Sequence, residues 1–262
     1  MSKTYRTIGI NLKAMPLGES DRLVTILTRE HGLIRVIAPG ARKHGSGMAG
    51  RSGLFVVNDL LISKGRSLDR ISQAEIVQSY VGLGQNLAKL TASQYLAEIT
   101  LLQALTAQPQ EDLFLLLTEH LTRIQAAQGT ESILAQLNHG IYHLLATAGL
   151  APQVYTCCVS REAAIADFET PKWQVGFSLN GGGVVLLPSN PELLNLKISH
   201  RLNAIELYGL QQLVKAELPD LEMAGLGVKV WLTIERVLRA YAQYHLEKSI
   251  QSATLIDHCF TL

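Results

Sequence analysis

Cysteine is scarce in this chain. Three residues among 262, two of them adjacent, make a poor disulfide framework and agree with a reducing compartment. Long apolar runs are also missing: stretches such as residues 113–117 are short and flanked by charge, whereas a membrane-crossing helix needs roughly 18 apolar residues. The N-terminal Met-Ser-Lys-Thr-Tyr-Arg enters a strand-like pattern with no apolar core or small-residue cleavage site of a secretory signal, so cytoplasmic residence is expected.

The signatures of catalysis are missing as well. Asn180-Gly181-Gly182-Gly183 lacks the Gly-x-x-x-x-Gly-Lys-Ser/Thr spacing of a phosphate loop and does not open a helix, so it reads as a turn. His139 and His143 are four apart on a predicted helix, but the Glu of a helical zinc motif does not follow His139, and surface or partly buried histidines are the simpler reading. Ser20 beside Asp21 forms no nucleophile elbow. No catalytic residue, metal or cofactor is assigned.

Net charge is close to zero, at +1, yet it is unevenly spread. The first eighty residues hold twelve Lys or Arg against six Asp or Glu, or +6; the remainder holds eleven against sixteen, or −5. A basic end on a nearly neutral chain points to a polyanion, with nucleic acid the leading candidate. The cluster Arg42-Lys43-His44 running through Gly45-Ser46-Gly47 to Arg51 suggests a flexible loop able to wrap a phosphate backbone. Lys64 and Arg66 flank Gly65 in a turn, and Arg35 alternates with Leu33 and Ile37 on a strand. Arg35, Arg42, Lys43, Arg51, Lys64 and Arg66 are therefore the candidate DNA contacts. Tyr5 and Phe55 are either base-stacking platforms or core aromatics.

Short β-rich segments at 22–28, 33–37, 55–63 and 68–77, with a strand from residue 5 and His31-Gly32 as a hairpin turn, make about five strands before the first helix. A five-stranded OB-type barrel is the economical closure. Near Gly84 the periodicity becomes helical, over 90–107, 111–128 and 131–148, then 202–216 and 227–248. In the last segment Trp231, Ile234, Val237, Leu238, Tyr241 and His245 form one stripe. An insert at 152–191 contains a predicted β-hairpin over 175–186. The expected fold is α+β: an OB-type domain at 1–80, then a helical domain at 81–262 carrying the insert.

Several strings in order resemble one family, the bacterial RecO recombination mediators. They are Gly18-Glu19-Ser20-Asp21, Thr28-Arg29-Glu30-His31-Gly32, Ala38-Pro39-Gly40-Ala41-Arg42-Lys43, Tyr95-Leu96-Ala97-Glu98, Leu144-Leu145 to Gly149-Leu150-Ala151-Pro152, and Gly182-Gly183-Val184. The resemblance covers most of the chain. It implies a non-enzymatic protein of DNA repair and recombination, nucleoid-associated, that anneals single strands. With a RecR-like partner it would help load RecA onto strands coated with single-stranded DNA-binding protein; binding of double strands is left open. It also implies docking of that protein's acidic C-terminal tail, for which Arg123 and His139 stand as candidates where Asn138-His139-Gly140-Ile141 replaces an Arg-rich turn. Many relatives are implied to hold zinc in the insert; here Cys157 alone matches, with Ser160 at its partner position and Leu186 and Ser189 near the second pair. The alternative reading is an interaction adaptor whose barrel is a docking module with incidental DNA affinity.

Overall fold

The computed structural model describes residues 4–187, 196–218 and 226–260. The chain forms two compact units, residues 1–125 and 126–262.

The first unit is built on five strands: β1 (Thr4–Leu17), β2 (Asp21–Thr28), β3 (Gly32–Ala38), β4 (Val56–Ser63) and β5 (Asp69–Ser79). They close into a barrel in the order β1-β2-β3-β5-β4, the OB arrangement expected from the strand count. Closure depends on β1, which is long enough to pair with both neighbours. Its first half runs antiparallel to β4 and its second half to β2, and an irregularity between Asn11 and Lys13 lets it bend. Strand alternation then sorts the side chains. Val36 and Ala38 of β3 join Val24, Ile26, Leu60, Ile62 and Ile71 in the barrel core, while Arg35 faces outward.

The segment joining β3 to β4 is not a plain loop. Residues 39–46 turn, Ser46 Oγ accepts the N–H of Met48 at 3.2 Å, and a short helix α1 (Gly47–Arg51) follows. Ala41 is part of the barrel core and Met48 packs against it, so this segment plugs the barrel. After a 3₁₀ turn at Val81–Gln85, Asn86 caps α2 (Leu87–Gln103), and α3 (Glu111–Ala126) begins on Glu111 and Asp112, acidic residues suited to a helix N-terminus. Between these helices the chain returns to the barrel: Leu33 N–H donates to Leu105 O at 2.9 Å and Gln110 N–H to Arg29 O at 2.8 Å.

In the second unit α4 (Gly129–Thr147) packs on α6 (Gly227–Leu246). Asn138 Nδ2 donates across the pair to Trp231 O at 3.0 Å, and the stripe from Trp231 to Tyr241 is buried as its spacing indicates. The predicted hairpin forms as β6 (Gln174–Ser178) and β7 (Gly183–Val185) around the glycine turn. A third strand, β8 (His200–Asn203), pairs antiparallel with β6 and leads directly into α5 (Ala204–Gln212) through an Asn203–Glu206 capping box. The segment from 202 is thus strand first and helix second. Phe177 meets Tyr241 edge-on, with ring centres 5.7 Å apart, tying the small sheet to α6. A last helix, α7 (Thr254–Phe260), is held to α6 through Arg239 and Asp257 at 2.8 Å. No helix among the described residues is long and apolar enough to cross a membrane.

Candidate nucleic-acid interface

The six candidate cations of the first unit separate into three places. Arg42 and Lys43 lie on the turn after β3. Arg42 Nη1 donates to Gly18 O at 2.6 Å and its backbone N–H to Ser20 O at 2.8 Å, which stitches this turn to the β1–β2 connection. Asp21 organises the same corner: it accepts the Gly40 N–H and the Ser20 hydroxyl, which hold its carboxyl below the usual range, and the charges of Arg70 and Lys43 act in the same direction. The side chains of Arg42 and Lys43 remain exposed.

Arg51 is elsewhere. The sequence suggests one flexible loop from 42 to 51; instead, Arg51 ends α1, half-buried, and its carbonyl accepts Nδ2 of both Asn11, at 2.8 Å, and Asn58, at 3.0 Å. The reason is local: Ser46 caps a helix and Met48 seeks the barrel core, so the glycines do not stay a free tether. Arg51 lines a cleft of about 360 Å³ with Arg6, Asp59 and Glu75, where Arg6 pairs with Asp59 at 3.4 Å. Two carboxylates there make this a poor place for phosphate.

The third place gathers Arg35 and Lys64. Both line a pocket of about 410 Å³ with Tyr5, His31, Asp69 and aliphatic residues that include Leu33 and Leu68. Tyr5 is held on two sides. Its hydroxyl donates to Asp69 Oδ2 at 2.8 Å, and the His31 ring stands nearly perpendicular to it at 4.7 Å between centres. Burial and the Asp69 bond push the phenol up, so it stays protonated as a donor. Lys64 Nζ lies 5.7 Å from the centre of the Tyr5 ring. Arg66, on the same connection, is exposed. Of the two aromatics singled out in the sequence, Tyr5 reaches a pocket, whereas Phe55 is core, 2% exposed. His31 and Asp69 give no sequence signal beyond a turn and a strand start; only closure of the barrel brings them to Tyr5.

The two candidate partner contacts differ in exposure. Arg123 pairs with Glu119 one turn earlier on α3 and its side chain is 21% exposed. His139 is fully buried, with Nε2 at 2.8 Å from Lys215 O, so it does not offer its ring at a surface. Its neighbour His143 shares that carbonyl at 3.1 Å.

The described residues of the insert do not supply the ligand set of a structural zinc. Cys157 Sγ accepts the backbone N–H of Ser160 at 3.4 Å and of Leu186 at 3.3 Å, and neither of these residues, at the two described positions where the family pattern has further ligands, carries a thiol or imidazole. Ser189 lies outside the described residues. Burial raises the Cys157 thiol, but the bonds from Ser160, Leu186 and Val159 outweigh it and leave the pKa lowered.

A closed OB-type barrel displaying loop cations, followed by a mostly helical second unit, places the chain among small α+β proteins with a modular N-terminal barrel. Comparison with known proteins gives the family. Residues 1–80 match the description Recombination protein O N terminal, and residues 84–254 match Recombination protein O C terminal. The chain is 50% identical to a DNA repair protein RecO of a Nostoc species, over 99% of its own length and 97% of the relative. It is 50% identical to that of Gloeothece citriformis, covering 98% of both chains, and 46% identical to that of Gloeobacter violaceus, covering 98% and 94%. The chain belongs to the RecO family of DNA repair and recombination proteins. The family boundary at 80 to 84 coincides with the change from strands to helices, whereas the compact units divide after residue 125 because α2 and most of α3 go with the barrel.

Proposed function

We propose that this chain binds single-stranded DNA through its barrel and anneals complementary strands. With a RecR-like partner, it assists loading of a RecA-type recombinase onto strands coated with single-stranded DNA-binding protein. The observation that carries the reading is the set of exposed cations Arg35, Arg42, Lys43, Lys64 and Arg66 on one small barrel, in a chain whose remainder is net acidic. Annealing needs no bond to be made or broken. Two single strands repel through their phosphates, and a surface that neutralises some of them lowers that repulsion while the bases remain free to pair. Mediation is therefore electrostatic and conformational rather than enzymatic. For an acidic partner tail, Arg123 is the residue left to contribute charge, since His139 is enclosed.

The test is an annealing assay with complementary oligonucleotides, bare and coated with the cognate single-stranded DNA-binding protein, beside binding titrations at several salt concentrations. Arg42→Ala with Lys43→Ala is expected to slow annealing and to reduce the slope of log affinity against log salt by about 0.7 per lost phosphate contact. A folded double variant with unchanged slope removes this turn from the interface. Wild-type protein that anneals neither bare nor coated strands overturns the reading.

A further inference from the structure

The pocket beside Tyr5 has a composition that phosphate neutralisation alone does not explain. Its lining includes the aliphatic residues Leu33, Ile34 and Leu68 and an aromatic ring fixed by a hydrogen bond and an edge-on imidazole, and its cations, Arg35 and Lys64, are both on exposed positions. Asp69 is part of the wall, so a phosphate seated inside would meet a carboxylate as well as the cations. A purely apolar ligand would waste those charged groups. The walls are also set by backbone: Gly65 N–H donates to Asp69 Oδ1 at 3.1 Å on the β4–β5 connection, and Gly32 bridges Thr106 on the opposite lining segment. At about 410 Å³ the space lies in the range of small-molecule sites.

Accepting the DNA-binding reading on which this rests, we propose that the pocket receives one unstacked base of a single strand, which stacks on Tyr5 in place of the Lys64 ammonium. Arg35 and Lys64 then engage the phosphates on either side of that nucleotide. Lys64 can make the exchange because it is exposed on the β4–β5 connection, and its charge gains more from a phosphate than from a ring face. The base is the part that enters, since its planar face suits the ring and the aliphatic lining. The consequence is a barrel that holds strands by one base while leaving neighbouring bases open to pairing.

The experiment compares the affinity of the full chain for a thymidine oligonucleotide and for an abasic strand of the same length and charge. Wild type is expected to prefer the base-bearing strand by roughly 5- to 150-fold, the worth of one stacked base. Tyr5→Ala removes that preference without changing the salt slope, and Tyr5→Phe keeps it, since the ring remains. Photocrosslinking of wild type with a 5-iododeoxyuridine oligonucleotide gives a check that needs no variant, with the adduct expected in the peptide holding Tyr5 or His31. Equal affinity for the two strands, or an adduct confined elsewhere, overturns the base pocket and leaves DNA binding intact. Displacement of the strand by free thymidine monophosphate at matched nucleotide concentration assigns the pocket to a free nucleotide and overturns the proposal too. If neither strand binds, the DNA-binding reading itself fails.

Discussion

Gly32 shows how one position can answer two constraints of which only one is local. It ends the β2–β3 turn with φ of +64°, a conformation that costs other residues about 1–2 kcal/mol. The His31-Gly32 pair marks that turn in the sequence. The second constraint comes from far along the chain: a Cβ on Gly32 would sit 2.2 Å from Leu105 O and 2.5 Å from Gln108 O, where the segment after α2 lies against the barrel. Gly32→Ala must therefore both strain the turn and displace that segment. It is expected to lower stability by more than the ~1–2 kcal/mol of the conformation alone, read as a lower urea midpoint, and to weaken DNA binding, because Thr106 lines the pocket. A midpoint equal to wild type would show that the close approach is absent. The same limit governs the aromatics. Tyr5 and Phe55 are equivalent in sequence terms, and only the closed barrel puts one in a pocket and the other in the core.

Regular elements were legible where their periodicity was strong. The five strands, the long helices and the glycine-turned hairpin all stand near their expected places, because alternation and helical stripes record which face is buried. Short elements were not. Five residues of α1 rich in glycine carry no stripe, and β8 was absorbed into the helix that follows it, since Leu202 fits either period. At the far end, α7 buries Ile256 and Phe260, and an ion-pair cluster adds to what holds it. Arg239 donates to the buried Glu235 at 2.6 and 2.9 Å and to Asp257 at 2.8 Å. The bond from Arg239 holds the Asp257 carboxyl below its usual value, with Arg236 adding to it. A carboxyl depressed in the folded state contributes stability that is present above its unfolded pKa of about 3.9 and lost as pH falls through the folded value. Asp257→Asn is therefore expected to lower the thermal midpoint at neutral pH, with the gap to wild type closing below about pH 3.9. A gap that stays constant across that range would mean that Asp257 acts through packing and not through its charge.

Across the whole molecule the informative quantity is the placement of charge and not its sum. The net value of +1 gives no pointer to a polyanion, whereas +6 on the first eighty residues is the feature from which the DNA-binding proposal starts. That segregation was visible in the sequence, but the grouping of the candidate cations was not, because barrel closure separates Arg51 from Arg42 and joins Arg35 to Lys64. Local field and total charge make different predictions, and charge reversal can set them against each other. Arg35→Glu with Lys64→Glu and Lys229→Glu with Lys248→Glu change the net charge equally, and all four side chains are exposed, so neither pair disturbs a core. If a localised face binds the strand, the first pair should reduce the salt slope by about 1.4, at 0.7 for each of two phosphate contacts, and weaken binding at every salt concentration. The second pair should leave the slope unchanged, with at most a uniform loss from the weaker long-range attraction, which fades beyond a Debye length of about 8 Å at physiological salt. Anisotropy titrations of the two folded variants decide the matter: equal loss of slope in both would mean that the strand senses the charge of the whole chain, and the barrel would then have no claim to being the site.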